Sequence, residues 1–314
     1  MIKSKIEYVE LLRFLAASCV VCVHLPPIKA GAFGVDLFFI ISGFVMMYST
    51  SVSAKNFFFK RIFRIVPLYW VFTLGVFVIA IFHPELLNNT KANFFELAKS
   101  LFFIPFDKNE TGHFPILFLG WTLNYEIYFY LIFGLCTIFF YKFRDIICSV
   151  FLILIVIIFS SNKNFILSVY SNPIVIEFIF GMIAYRTLWL KKFDIHSFIL
   201  ILLCVVTLLI IPQSRVITFG IPMLIIFYIF HIIFSKKKML DQIYYLGGCS
   251  YSLYLTHPYI IQFVEKFTKL FNMNLTLDIL LIIVSFILCV GFALAIFIFF
   301  ETKLNKKLRS LLSK

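Results

Sequence analysis

The stretch LDILLIIVSFILCVGFALAIFIFF, residues 277–300, decides the fold class. After Asp278 it runs to Phe300 without a charged side chain. An apolar run of about 20 residues is the length that an α-helix needs to cross the hydrocarbon core of a bilayer. The rest of the chain has the same character, because 62% of its 314 residues are apolar and 14% are charged, against about 25% charged in soluble domains. These values exclude a water-soluble domain and predict a membrane protein.

Apolar runs between polar breaks predict ten membrane spans, at 8–25, 33–51, 65–82, 115–141, 146–160, 173–190, 196–212, 216–234, 248–264 and 277–300. The predicted fold is all-α, a polytopic membrane helical bundle with about ten transmembrane helices. No repeat or linker divides the chain, so residues 1–314 are predicted to form a single membrane domain without a separate soluble domain. The longest polar connection, 83–114, contains a stretch at 94–103 with amphipathic helical spacing, which suits either a functional loop or a connector that rests on the bilayer.

Lysine and arginine residues favour two cytoplasmic termini. With the N-terminus inside, more than twice as many of them fall in the inner loops and tails as in the outer ones, as the positive-inside rule expects. They stand in short clusters between apolar runs rather than along one face. We therefore interpret the net charge of +13 as a topology signal and predict no nucleic-acid partner. The predicted location is the cytoplasmic membrane, where the lipid bilayer surrounds the protein.

Arg13 and His24 are the sharpest pair of polar residues inside a predicted span. An ionisable side chain at the centre of a span costs about 2.5–3.5 kcal/mol, so it needs a partner, a cavity or a chemical role. Eleven helical residues turn the chain through slightly more than three full turns, which places both side chains on one face, roughly 16 Å apart along the axis. One interpretation is a channel for a phosphate-bearing molecule from the cytosol. In the other, Arg13 pairs with Glu10 and His24 simply lies at the interface.

Further candidates lie at the ends of predicted helices. Glu126 follows Trp121 in an aromatic-rich segment, where its carboxylate suits either a partner of an imidazole or hydroxyl or a structural partner of a buried cation. Asp36 opens the second span. A carboxylate at this position can accept hydrogen bonds from the free backbone N–H groups and interacts favourably with the helix dipole. Three basic residues, Lys60, Arg61 and Arg64, precede the third span and suit either a phosphate-binding patch or the positive-inside rule alone.

Other polar groups in the spans have structural alternatives. Glu177 and His257 are ionisable groups that could each be structural. The seven cysteines are an odd number and lie in or beside apolar runs, so we predict packing roles and no disulfide framework. Cys19 and Cys22 are followed by His24, but this spacing lacks the ligands of a haem or zinc site, and no metal site is predicted.

Six segments, taken in order, resemble the membrane acyltransferase 3 family of sugar and polysaccharide O-acyltransferases, particularly its exopolysaccharide-type members. The resemblance covers nearly the full length of the chain. The segments are Leu11-Leu12-Arg13 through His24; Gly34-Val35-Asp36-Leu37-Phe38-Phe39 with Ser42-Gly43-Phe44; Arg61 to Arg64 with Pro67; Trp121-Thr122-Leu123 with Glu126 and Phe129-Tyr130; Glu177-Phe178 with Gly181; and Ser250-Tyr251-Ser252-Leu253-Tyr254-Leu255 with His257.

The resemblance implies transfer of an acyl group, most simply acetyl, from cytosolic acyl-CoA to a hydroxyl of a cell-surface or lipid-linked carbohydrate. No permanently bound cofactor is implied, since acetyl-CoA is a co-substrate. His24 is then the general base and Glu126 a second catalytic group that orients His24 or binds the acceptor. The remaining roles implied are donor binding by Arg13, Lys60, Arg61 and Arg64, and substrate binding by Asp36, Trp121, Tyr254 and His257.

Two other functions remain open from the sequence. A transporter or flippase of a sugar-linked or small anionic substrate would also have many helices and scattered intramembrane charges. The sequence has no paired Gly/Pro-broken segments of the kind that inverted repeats produce, which counts against that alternative. A purely structural assembly subunit would leave the alignment of Arg13 with His24 unexplained.

Overall fold

A computed structural model describes residues 7–25, 30–87, 90–107, 114–211, 215–238, 240–270, 278–304 and 306–307. Lys3 and Lys5 of the predicted inner tail, and the residues after 307, lie outside the described residues. The regular elements of the described part are helices, as predicted. They are α1 (Glu7–Val23), α2 (Phe33–Val52), α3 (Phe57–Phe82), α4 (Phe94–Leu101), α5 (Gly120–Phe139), α6 (Arg144–Phe159), α7 (Phe165–Tyr170), α8 (Ile176–Ala184), α9 (Ile195–Ile210), α10 (Ile221–Phe234), α11 (Asp241–Leu270) and α12 (Asp278–Ile296).

Each of the ten predicted spans coincides with a helix, but fewer helices meet a length and hydropathy criterion for crossing a membrane. In the described ranges, six do so: Phe33–Val52, Phe57–Phe82, Gly120–Phe139, Phe165–Trp189, Val216–Phe234 and Leu280–Leu304. Helices α1, α6 and α9 have only 16 or 17 residues. Helix α11 has 30 residues, but it contains many polar ones. The count of about ten transmembrane helices therefore stays a prediction.

The start of the third span was predicted too late in the sequence. Helix α3 begins at Phe57 rather than near residue 65, so Lys60, Arg61 and Arg64 lie on its first two turns and Pro67 lies inside it. The charged residues interrupt the apolar run, but they do not interrupt the helix. Phe57 and Ile65 are buried on the same helix. Two amphipathic turns therefore extend the membrane helix, and the arginines have fixed positions on its surface.

The described residues divide into two compact units. The first comprises those that lie within 1–38 and 225–314, and the second comprises those within 39–224. In the first unit, α1, α11 and α12 share a hydrophobic core that consists of Ala17, Val21, Leu25, Cys249, Leu253, Ile261, Cys289, Ala293 and Phe297. The prediction of a single membrane domain is not decided by this division and stays a prediction.

Close helix packing in the second unit depends on two glycines. A Cβ atom at Gly43 of α2 would overlap the backbone carbonyl of Phe178 in α8, and one at Gly181 would overlap the carbonyl of Ile40. Any side chain at either position would force the two backbones apart. The absence of a side chain at these glycines allows α2 to pack closely on α8. This packing also fixes the position of Ser42, which precedes Gly43.

In the described ranges, three short π-helical segments interrupt or extend the α-helices, at Tyr185–Trp189, Val216–Gly220 and Phe297–Glu301. Segments with this wider turn are often found at functional sites. Two of them hold a buried charged residue: Arg186 lies in the first and Glu301 in the third. In the second, Gly220 lies beside the carboxylate of Glu177. Each π segment thus accompanies an ionisable group that is removed from water.

The long connection between α3 and α5 contains the predicted amphipathic helix, which is α4. Helix α4 contacts α3, where the indole Nε1 of Trp70 donates a hydrogen bond to the carbonyl of Leu101 at 2.8 Å. The ring of Phe103 stacks on Tyr69, with ring centroids 4.8 Å apart. Phe94 and Phe95 are exposed on α4. Contact of these rings with a bilayer surface stays a prediction.

Candidate active site

His24 lies immediately after the last residue of α1 and is half-buried. The chain forms a tight turn there, in which the backbone N–H of His24 donates a hydrogen bond to the carbonyl of Val21 at 3.0 Å. The imidazole Nδ1 lies 2.8 Å from the carbonyl oxygen of Val20. It also lies 3.3 Å from Nε2 of His257, and the two rings meet edge to face with centroids 5.0 Å apart. The structure therefore brings together two of the sequence-predicted residues, His24 of α1 and His257 of α11.

The Val20 carbonyl determines which nitrogen of His24 carries the proton. A carbonyl oxygen can only accept a hydrogen bond, so Nδ1 must be the protonated nitrogen of the neutral imidazole. The lone pair of the ring then resides on Nε2. A neutral imidazole with this lone pair is the form of histidine that can remove a proton from a hydroxyl near neutral pH.

Arg13 is buried to 8% exposure, and its Nη1 lies 2.8 Å from Oε1 of Glu10. This ion pair is the arrangement that the structural interpretation of the sequence predicted. Glu10 in turn lies against Gly247 of α11, where a Cβ atom would overlap the Cβ of Glu10. The guanidinium is therefore held near the junction of α1 and α11, on the same helix as His24.

Asp36 and Tyr254 belong to the same unit as His24. Asp36 lies in the first turn of α2 and is 0% exposed. The start of α2 packs on α1, because a Cβ at Gly34 would lie 2.9 Å from a methyl group of Val20. Tyr254 is buried, with its ring centroid 5.9 Å from that of Phe38 and 6.3 Å from the His257 ring.

In the second unit, Glu126 of α5 forms a small polar cluster. The hydroxyl of Ser42 donates to Oε1 of Glu126 at 3.0 Å, and the hydroxyl of Tyr130 donates to the same oxygen. The charges of Arg61 and Arg64 act on the Tyr130 hydroxyl. The two predicted donor-binding arginines are therefore near enough to this cluster for their charges to reach Tyr130. Lys60, by contrast, is exposed at the start of α3.

Trp121 begins a row of aromatic side chains on one face of α5, followed by Tyr125 and Tyr128 at helical spacing. The Trp121 and Tyr125 rings are perpendicular, with centroids 6.1 Å apart. Tyr170 of α7 lies 4.7 Å from Tyr128 between ring centroids, and the charge of Arg215 acts on Tyr125. Except for Tyr125, these side chains are partly exposed. Aromatic rings with an adjacent cation form a surface that can stack on sugar rings and bond their hydroxyls.

The sequence indicated Tyr130 only as part of a family segment, and it gave Tyr130, Tyr170 and Arg215 no site role. An i, i+4 spacing connects Glu126 with Tyr130, and this spacing could have indicated that contact. No local signal points to Tyr170 or Arg215, since they approach α5 only through the fold. The hydrogen bonds of His24 described above lie within the first unit and those of Glu126 within the second. Orientation of His24 by Glu126 therefore stays a prediction.

A profile of the acyltransferase 3 family, described as an acyltransferase domain, matches residues 6–298. The match covers nearly the whole chain, and the chain belongs to this family. The resemblance that the six sequence segments indicated is thereby confirmed. Together with the long apolar helices, membership defines the protein as a membrane acyltransferase.

Two characterised proteins are similar to this chain. The exopolysaccharide production protein ExoZ of Rhizobium meliloti is 31% identical over 259 residues, which cover 75% of this chain and 78% of ExoZ. The peptidoglycan O-acetyltransferase OatA of Listeria monocytogenes is 30% identical over 142 residues, which cover 38% of this chain and 22% of OatA. No solved structure matches the chain.

Proposed function

We propose that the protein is an O-acetyltransferase that moves an acetyl group from acetyl-CoA to a hydroxyl of a cell-surface or lipid-linked carbohydrate. The observation that carries the proposal is the hydrogen bond from His24 Nδ1 to Val20, because it leaves the lone pair on Nε2. Membership of an acyltransferase family supports an acyl group as the group that is transferred. The names of ExoZ and OatA, which refer to exopolysaccharide and peptidoglycan, support a carbohydrate acceptor.

In the proposed reaction, Nε2 of His24 removes the proton of the acceptor hydroxyl while the oxygen attacks the thioester carbonyl. The C–S bond of the donor breaks, an ester C–O bond forms, and the thiolate of CoA receives the proton from the imidazolium. Atoms and charge balance without a metal or redox cofactor. General base catalysis of this kind contributes about 10²- to 10⁴-fold.

The donor's phosphates bind to basic side chains in this proposal. Arg13 serves in the first unit, and Lys60, Arg61 and Arg64 serve at the start of α3 in the second. Guanidinium groups form charge-assisted hydrogen bonds with phosphate oxygens. The charges of Arg61 and Arg64, which act on Tyr130, support this role, because they place positive charge around a fixed polar group.

The acceptor binds on the aromatic surface that begins at Trp121 and includes Tyr128 and Tyr170. Glu126 accepts a hydrogen bond from an acceptor hydroxyl in the proposed complex. Asp36 and Tyr254 have the same substrate-binding role in the first unit, where both are buried. Asp36 lies at the start of α2, which packs on α1, and Tyr254 lies on α11 with His257.

We further propose that both termini are cytoplasmic and that the protein lies in the cytoplasmic membrane. The distribution of lysine and arginine supports this orientation. A reporter that is active only outside the cytoplasm, inserted after Asp107 in the 83–114 connection, is expected to be active. Activity of a cytoplasmic reporter at the same site would reverse the orientation.

The function is tested with purified protein in liposomes, radiolabelled acetyl-CoA and candidate glycans. We expect label to pass to the glycan, and we expect His24→Ala to reduce turnover by at least about 100-fold at unchanged abundance. His83→Ala is the matched control, because this histidine is exposed and belongs to the connection after α3. Turnover by His24→Ala close to wild type would remove the base assignment. Movement of unmodified glycan across the liposome without acetylation would instead identify a transporter or flippase.

A further inference from the structure

Both ring nitrogens of His257 have a partner in the protein. Its Nδ1 lies 3.1 Å from the carbonyl oxygen of Leu253, one turn earlier in α11. Its Nε2 lies 3.3 Å from Nδ1 of His24. The side chain is 0% exposed. A histidine with this environment has no remaining nitrogen to offer to a substrate.

Pro258, which follows His257 inside α11, explains how the ring is fixed. Proline has no backbone N–H, so the carbonyl four residues earlier, that of Tyr254, loses its helical donor. The His257 ring interacts with this carbonyl as well as with that of Leu253. Two carbonyls of the preceding turn therefore hold the imidazole in one orientation.

The same carbonyls determine the tautomer of His257. They can only accept, so Nδ1 of His257 carries the proton and Nε2 carries the lone pair. The Nδ1–H of His24 is consequently shared between two acceptors, the carbonyl of Val20 and Nε2 of His257. The opposite arrangement, with His257 donating to His24, would leave two lone pairs facing each other at the 2.8 Å contact with Val20.

We propose that His257 is a positioning residue for His24, which it orients through the Nδ1–H bond and whose imidazolium form it stabilises during acyl transfer. This inference rests on the proposed function, since it concerns the base of that reaction. When His24 takes the acceptor's proton, its Nδ1–H becomes a charged donor, and hydrogen bonds from charged donors are stronger than neutral ones. The Nε2 atom of His257, which faces the Nδ1–H of His24, remains an acceptor throughout.

Three substitutions at position 257 separate positioning from packing. Gln places an amide oxygen near the position of Nε2 and restores an acceptor for His24. Asn places its amide near the position of Nδ1 and can contact only the preceding carbonyls. Leu fills similar space without a polar group. The three proteins are compared in liposomes at equal abundance, with acetyl-CoA and acceptor each varied.

We expect His257→Leu and His257→Asn to lower kcat by about 10- to 100-fold, with the KM values for donor and acceptor within about twofold of wild type. We expect His257→Gln to retain kcat within about threefold. Equal loss in all three variants, or a loss in acceptor KM alone, would overturn the positioning role. If the Leu variant does not accumulate in membranes, the comparison of Asn with Gln decides the same question.

A spectroscopic measurement gives an independent result. Nitrogen-15 spectra of histidine-labelled protein distinguish the two neutral tautomers, and the His24 signals are identified by their loss in His24→Gln. We expect His24 to be protonated at Nδ1, and protonation at Nε2 would overturn the inference. If His24→Ala keeps wild-type turnover, the proposed function fails. If His24→Ala is inactive while all three variants of His257 are fully active, only the present inference fails.

Discussion

The guanidinium of Arg186 lies 2.7 Å from the carboxylate of Asp145, between its Nη1 atom and Oδ2. The Asp145 side chain is 1% exposed. Through its Nη2 atom Arg186 also binds Asp194, again at 2.7 Å. One arginine in a π-helical segment therefore joins the start of α6 to the start of α9, where Asp194 accepts a hydrogen bond from the backbone N–H of Ser197.

Removal of Arg186 is expected to destabilise the second unit strongly. Arg186→Gln leaves the buried carboxylate of Asp145 without its cation, which typically costs about 3–5 kcal/mol. Thermal unfolding in detergent should show a large fall in midpoint. Lys192→Gln is the control, because Lys192 is exposed in the same connection. Adding Asp145→Asn to Arg186→Gln should restore part of the loss. If the two single losses simply add in the double variant, the ion pair contributes little.

Acidification provides a second test of this cluster. Burial acts to raise the pKa of Asp194, but the hydrogen bonds and charge of Arg186 and the N–H of Ser197 outweigh it and hold that pKa well below its usual range. A carboxyl with a lowered pKa in the folded state stabilises the protein above its unfolded pKa, near 4, and loses that contribution as pH falls further. The difference in unfolding midpoint between wild type and Asp194→Asn should therefore be full at pH 6 and should shrink below about pH 4. A constant difference across this range would contradict the assignment.

Two glycines allow a matched test of helix packing. Gly43→Ala would bring a methyl group into the carbonyl of Phe178, and we expect a loss of about 1–3 kcal/mol or more. At Gly75 of α3, by contrast, no atom of the described residues lies within 4 Å of the Cβ position. Gly75→Ala should leave stability unchanged or raise it by about 0.5–1 kcal/mol, because alanine favours the helix. Comparable unfolding midpoints for the two variants would argue against close packing at Gly43.

The approximate positions of the membrane helices could be predicted from the sequence, because each long apolar run forms a helix. Helix α3 begins earlier than predicted because hydropathy falls at Lys60, Arg61 and Arg64, although the helix continues through them, and α11 likewise extends beyond its predicted span of 248–264. The fold therefore extends beyond the apolar signal where a helix reaches the membrane surface.

Fewer contacts of the site could be predicted from the sequence. Arg13 and Glu10 are one turn apart, and local spacing was sufficient to suggest their ion pair. The hydrogen bond between His24 and His257 joins residues on α1 and α11, and the bond from Ser252 to the buried Glu301 joins α11 to the π segment after α12. Periodicity contains no information about such pairs, because they depend on which helices become neighbours.

Arg13 and Glu10 permit a test of donor binding. In the proposed function, the phosphates of acetyl-CoA compete with the Glu10 carboxylate for the guanidinium that now lies 2.8 Å from it. Arg13→Ala should raise the KM for acetyl-CoA by about 10-fold or more, because a hydrogen bond to a charged group contributes about 1.5–3 kcal/mol. Glu10→Gln should lower that KM, since it removes a competing negative charge while it keeps a similar shape. The measurement is a donor saturation curve at fixed acceptor, repeated at low and high salt, because screening weakens both effects. Donor KM values that do not change in either variant would place Arg13 in a structural role, with the ion pair serving only to stabilise α1.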